Sequence, residues 1–273
     1  MDNSKNSGEF SWVGSQKHFI DKPDIIQIRH IVLGRFGGNS KAGQSKNEDG
    51  CLIWVDEEDD FEFVMILDAH NTAESAELII DTIEDQKNAI YSILRDAVNP
   101  AFKNLQEYIL SIFQNSSFKN ACKKIQGETA CLIAVRKANF LWWFSIGDCL
   151  LYLYHPELVA LNEYQQNHRS FYEWVGQVNT FELPVPCYTT GCKELRTGKN
   201  HIFLTTDGLV ECPNTNFDNP IEIFSYFTRQ SNENAVQELL SYIQQKDVRD
   251  STTILSWIVD NKLPASKPSN SSD

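Results

Sequence analysis

Cys51-Leu-Ile-Trp-Val55, Asp56-Glu-Glu-Asp-Asp60 and Phe61-Glu-Phe-Val-Met-Ile-Leu67 follow one another without a gap. Two apolar runs rich in β-branched and aromatic residues flank an acidic turn, the pattern of two strands joined by a solvated hairpin tip. The same grammar returns at residues 129–135 and 140–146, which alternate around Arg136-Lys-Ala-Asn139. Between the two hairpins, Ala76, Ile79, Ile80, Ile83, Ile90, Ile93, Leu94 and Ala97 fall mostly at helical spacing, predicting one helix from Thr72. Pro100 suits the first turn of a second helix running to about residue 125. Strands are expected at 25–33, 150–154, 201–205 and 252–259, and helices at 220–227 and 234–245. Residues 162–200 read as irregular. Strands in hairpins with helices in separate blocks argue for α+β layers, with the first two helices covering a sheet as an antiparallel pair, and against a parallel βαβ sheet.

Composition narrows the function classes. The chain has 273 residues and is 41% hydrophobic, enough for one large domain with a sizeable core. Its 37 acidic and 24 basic residues give a net charge of −13. That balance disfavours a nucleic-acid binder and docking on anionic lipid, both of which need a basic face. Seven cysteines without a CxxC pair read as reduced cytosolic thiols, and no zinc site is expected. The polar N-terminus lacks a signal-peptide apolar core, and no apolar run is long enough to span a bilayer. The expected organisation is a loose N-terminal extension over residues 1–24, on which Phe10, Trp12 and Val13 are able to dock, one catalytic domain over 25–261, and a disordered tail over 262–273.

Chemistry enters at the strand ends. Asp49, Asp68, Asp148 and Asp207 each lie next to an apolar run, and Asp250 opens the last one. Singly, each suits a turn or a helix cap. Together they imply carboxylates delivered to one end of a layered fold, where unpaired buried charge is costly and divalent cations would offset it. Mg²⁺ and Mn²⁺ match, because they take carboxylate and water oxygens and need few protein ligands. Two such ions would activate a water and clamp a phosphoryl oxygen. His70, two residues past Asp68, is placed to reach a leaving-group oxygen at the rim.

In order and content these segments resemble the PPM-type, or type 2C, metal-dependent serine/threonine protein phosphatases. That family reads Asn-Glu-Asp, Asp-Gly-His-Gly, Gly-x-Thr-Ala, Val-Gly-Asp-Ser, Ser-Asp-Gly-Leu and Asp-Asn-x-Thr. This chain reads Gly43-Gln-Ser-Lys-Asn47-Glu48-Asp49, Asp68-Ala-His70-Asn, Gly127-Glu-Thr129-Ala130, Ile146-Gly147-Asp148-Cys, Thr206-Asp207-Gly208-Leu209 and Asp250-Ser251-Thr252-Thr253. The resemblance covers nearly all of residues 25–260. It implies a four-layer αββα sandwich, two antiparallel sheets flanked by helix pairs. It also implies a phosphatase acting on phosphorylated proteins, with in-line attack by a water bridging two Mn²⁺ or Mg²⁺ ions; a cytoplasmic monomer is expected. On this resemblance Asp49 and Asp68 approach both ions, and the Ala69 carbonyl completes one site. Asp207 and Asp250 bind the first ion, Glu48 holds waters behind Asp49, and Ser251 stands where the family's Asn positions water. Asp148 joins Asp207 at a third, weaker cation site, and His70 is the general acid.

The departures define the alternatives. Ala69 and Asn71 stand where the family has Gly; a positive φ at Ala69 would cost about 1 kcal/mol or more. Ser251 replaces Asn, and Cys149-Leu150 replaces Ser-Arg. No Arg shortly precedes Asn47, leaving Lys46 and Arg35 as candidates for holding the substrate phosphate; Lys lacks the bidentate fork. Two other readings stay open: a catalytically weak relative acting as a regulatory module, and a metallohydrolase of small phosphorylated metabolites.

Overall fold

The computed structural model describes residues 8–269. Residues 1–7 of the expected extension and 270–273 of the expected tail lie outside the described residues. Two antiparallel sheets stack face to face. The first contains β1 (Glu9–Val13), β4 (Gly50–Asp56), β5 (Phe61–His70), β6 (Glu128–Lys137), β7 (Phe140–Ile146) and β10 (Thr189–Glu194), in that order. The two-residue β9 (Val175–Gly176) pairs with the end of β6. The second has the order β2 (Asp24–Ile28), β3 (Ile31–Phe36), β12 (Thr252–Asn261), β11 (Gly198–Thr205), β8 (Leu150–Tyr154). Outside the first sheet lie α1 (Glu74–Asp85), α2 (Lys87–Leu94), α3 (Val98–Phe113) and α4 (Ser116–Cys122). Outside the second lie α6 (Pro220–Phe227) and α7 (Asn232–Gln245); α5 (Pro156–Val159) is a single turn after β8. The expected αββα sandwich is therefore the observed architecture.

Strand alternation builds three cores. In β5, Phe61, Phe63, Met65 and Leu67 pack on the first helix layer with Ile79, Ile83, Leu105 and Ile109. Val64 and Ile66, on the opposite face, meet Leu33, Leu204, Leu255 and Trp257 of the second sheet. Val32, Phe203 and Ile254 turn outward to Val236, Leu240 and Ile243 of α7. Each such fully buried side chain contributes roughly 1.5–3 kcal/mol. The alternation also aims the site. Asp68 shares the inter-sheet face with Ile66, Thr206 with Leu204, and Thr253 with Leu255, because side chains two apart point the same way.

Several boundaries differ from the sequence reading. The run 25–33 is two strands, not one, folded at Arg29, whose φ is 53°. The first expected helix breaks at Gln86, with φ −95° and ψ 4°. The second breaks at Asn115, whose side chain accepts the Ser117 N–H and caps a new helix. Residues 9–13, placed in a loose extension, form an edge strand on β4, with Trp12 and Val13 buried. The irregular stretch contains β10, which pairs with β7 from Phe140 to Ser145. No helix among the described residues is long and apolar enough to cross a membrane.

Candidate metal centre

The registers bring the acids to one end of the sandwich. Gly50 pairs with Leu67, Leu67 with Cys131, and Cys131 with Ile146, so Asp49, Asp68 and Asp148 lie at neighbouring strand ends of the first sheet. Thr205 pairs with Ile254, placing Asp207 and Asp250 at the matching end of the second. Two glycines permit the approach. At Gly147, φ is +85° and a Cβ would lie 2.5 Å from the Ala130 Cβ. At Gly208 a Cβ would lie 2.1 Å from the Ser251 carbonyl oxygen, so only Gly lets the Asp207 and Asp250 loops touch.

Carboxylate oxygens of Asp68, Asp148 and Asp207 lie within 4.8 Å of one another. Asp49 Oδ2 accepts the hydroxyls of Thr253 at 2.7 Å and Thr206 at 3.2 Å, tying a strand end of the first sheet to two of the second. The Asp250 Oδ1 accepts the Ser251 N–H at 2.9 Å. Asp49, Asp68 and Asp207 are all under a tenth exposed. Burial, followed by the neighbouring carboxylates, pushes Asp49 and Asp68 well above the usual carboxylate range, although the threonine hydroxyls pull Asp49 down. The same causes push Asp207 up to about 10. Burial also raises Asp148 and Asp250. Asp68 Oδ2 is buried without a hydrogen-bond partner. An all-oxygen donor set with an orphaned carboxylate oxygen fits hard divalent cations.

His70 ends β5 and is exposed on a cleft of about 410 Å³ shared with Lys46, Glu48, Asp68, Arg249 and Asp250. When protonated it favours the ionised forms of Asp148 and Asp250. Ala69 carries no left-handed strain: it is a strand residue paired with Thr129, and the positive φ, 74°, falls on Asn71. Lys46 Nζ lies 2.6 Å from Glu48 Oε1 and also donates to the Asn71 carbonyl. Ser251 is buried beside Asp250.

Arg35 is placed elsewhere. Its guanidinium ion-pairs with Asp24 and sits 4.5–5.4 Å from the ring centroids of Phe10, Trp12 and Phe19, away from the cleft lining. Of the two cations read from sequence for phosphate, only Lys46 lines the cleft. Two others were missed. Arg249 lines the same cleft, and its adjacency to Asp250 was a usable signal. Arg169 Nη2 lies 2.6 Å from Glu211 Oε1, 3.6 Å from Asp148 Oδ2 and 3.9 Å from Asp207 Oδ2. Nothing near Arg169 in sequence announces this. It arrives through the Ser170 N–H bond to the Gly147 carbonyl and through Asn167, which bonds Leu151, Cys149 and Ser145.

No protein-family model matches the chain, and no curated protein matches it. Solved structures do. A bacterial serine phosphatase aligns with a TM-score of 0.62 at 14% identity, over 85% of this chain and 99% of that one. RsbX, solved in complex with magnesium, aligns at 0.57 and 15% identity, over 87% and 100%. Serine/threonine phosphatase Stp1 from Staphylococcus aureus aligns at 0.59 and 12% identity, over 87% and 94%. At these identities the likeness concerns architecture, and the chain has the fold of the PPM-type serine/threonine phosphatases.

Proposed function

We propose that the chain is a divalent-cation-dependent phosphoserine/phosphothreonine protein phosphatase. The observation that carries this reading is the convergence of five aspartates from both sheets on one end of the sandwich, with Asp68 Oδ2 buried and unpartnered. Asp49, Asp68, Asp207 and Asp250, with the Ala69 carbonyl, would hold two Mn²⁺ or Mg²⁺ ions. Bound, the pair supplies an acidified water and a positive clamp for phosphoryl oxygens.

The chain's own residues do the rest. Thr206 and Thr253 fix which Asp49 oxygen stays free of hydrogen bonds. Glu48 and Ser251 orient water at the cleft. Lys46, already on the cleft wall, gives the substrate phosphate a point charge. Exposed at the end of β5, His70 donates a proton to the departing serine or threonine oxygen. The fold match favours phosphoprotein substrates over small phosphorylated metabolites.

Leaving-group chemistry tests the assignment. With Mn²⁺ present, the protein is expected to hydrolyse both a phosphoserine peptide and an aryl phosphate. His70→Ala should slow the peptide reaction by about 10²-fold or more while sparing the aryl phosphate, whose oxygen needs little protonation. Equal losses on both substrates would remove His70 from this role, and no metal-dependent turnover on either would favour the regulatory-module reading.

A further inference from the structure

Beside the carboxylates stands a cation of the chain's own. We propose that the Arg169 guanidinium and a divalent cation compete for the Asp148 and Asp207 carboxylates, so that the segment after β8 carries a built-in antagonist of a third ion. This rests on the metal-dependent reading above and deepens it.

Geometry makes Arg169 an exchangeable occupant. Its firm partner is Glu211, at 2.6 Å; Asp148 and Asp207, at 3.6 and 3.9 Å, are beyond good hydrogen-bond length and hold it by charge alone. Arg169 Nε is buried without a partner, so its hydrogen-bonding capacity is incompletely used. The side chain is 22% exposed, which leaves it an open path to water, and it lies 4.9 Å from the Phe171 ring centroid. The backbone cannot follow. It is pinned by the Ser170 N–H bond to the Gly147 carbonyl, and Asn167 is buried in three hydrogen bonds. Exchange is thus a swing of one side chain. A divalent ion bridging Asp148 and Asp207 would stand beside the guanidinium, and like charges at that separation exclude each other. By linkage, whatever strengthens the Arg169–Glu211 pair weakens that ion, and the ion in turn loosens the arginine.

Metal stoichiometry decides the matter. Mn²⁺ binding to the full chain is measured by calorimetry and by electron paramagnetic resonance of free Mn²⁺. Wild-type protein, Arg169→Met, Glu211→Gln and Arg169→Met combined with Asp148→Asn are compared. The two tight ions are expected in all four. Arg169→Met should tighten a third, weaker Mn²⁺ by about tenfold or more, Glu211→Gln should tighten it less, and adding Asp148→Asn should abolish the gain. Should Arg169→Met fold poorly, Arg169→Lys provides a shorter cation and an intermediate gain. An unchanged third affinity in Arg169→Met overturns the competition, as does a gain that survives Asp148→Asn. A raised KM for phosphopeptide with unchanged stoichiometry would instead make Arg169 a substrate ligand. Wild-type protein that binds no Mn²⁺ would overturn the metal reading itself, a result distinct from either.

Discussion

The two ends of the β-sandwich both bury acids, and they treat them in opposite ways. At the end away from the cleft, Glu62 is almost fully buried, yet Arg136 Nε donates to its Oε2 at 2.6 Å and His30 Nε2 lies 3.0 Å from its Oε1. The same arginine reaches the Asp60 carbonyl at 3.1 Å. Burial alone would raise the Glu62 carboxyl, but His30 and Arg136 outweigh it and hold the group below its ordinary range. At the cleft end, acids face acids, and the same burial pushes Asp207 up to about 10. One end carries its counter-charges within the fold. The other sets Arg169, 3.6 and 3.9 Å from Asp148 and Asp207, against five aspartates and needs further positive charge from solution, which is what separates a structural ion pair from a site poised to bind cations.

Removing a charge should therefore have opposite effects at the two ends. The largest expected effect is on turnover: Asp207→Asn should lower metal-dependent hydrolysis by about 10³-fold or more, the loss of several kcal/mol of charge stabilisation. In chelator the same variant should unfold at higher urea than wild type, because it relieves repulsion among crowded carboxylates. Normal metal-dependent activity in this variant would end the assignment, and a less stable chelated variant would erase the contrast. At the far end, Arg136→Met strips the buried Glu62 of its guanidinium and leaves it with His30 alone. It should cost about 3–5 kcal/mol in urea unfolding with the metal-binding stoichiometry intact. A loss under about 1 kcal/mol would mean that Glu62 escapes to water and the pair is a surface one.

A third buried group calibrates both. His201 packs among Tyr154, Phe203 and Phe227, with Nε2 2.7 Å from Ser256 Oγ. Because that hydroxyl donates onward to Asn232 Oδ1 at 2.6 Å, His201 must donate to it through its Nε2–H. Burial drives its pKa down to about 3, against an ordinary 6.5. The unfolded chain thus binds the proton more tightly. The associated stability is fully present above pH 6.5 and is lost as pH falls toward about 3. Wild type should lose about 1 kcal/mol or more between pH 6.5 and 5 relative to His201→Gln. Parallel stability curves for the two proteins would show that His201 does not titrate on unfolding.

The legible parts of the fold are those with a local signal. Alternation in β4–β5 and β6–β7 marked both hairpins because each strand buries two distinct faces. The breaks at Gln86 and Asn115 and the turn at Arg29 were hidden, since no Gly or Pro interrupts the apolar pattern there. Edge strands β1 and β10 were hidden for another reason: apart from Trp12 and Val13 their residues are exposed or half-buried, so the alternation is weak. In the site, the five acids could be read because strand ends deliver them. The groups that hold them could not. Thr253 meets Asp49 across 204 residues, and Arg169 meets Glu211 across 42. Such contacts exist only once the sheets are stacked.

Strand β12 gives the molecule an order in time. It lies between β3 and β11, in the interior of the second sheet, and its Thr253 secures Asp49. A ribosome releasing this chain delivers all five aspartates before β12 has emerged. Until that strand inserts, β3 and β11 have no common neighbour, and the second sheet cannot present its acids to the first. Long-range pairing of this kind forms late. A nascent polypeptide thus carries every acid of the cluster without the geometry that gathers them, and the centre matures only with the last strand of the sandwich.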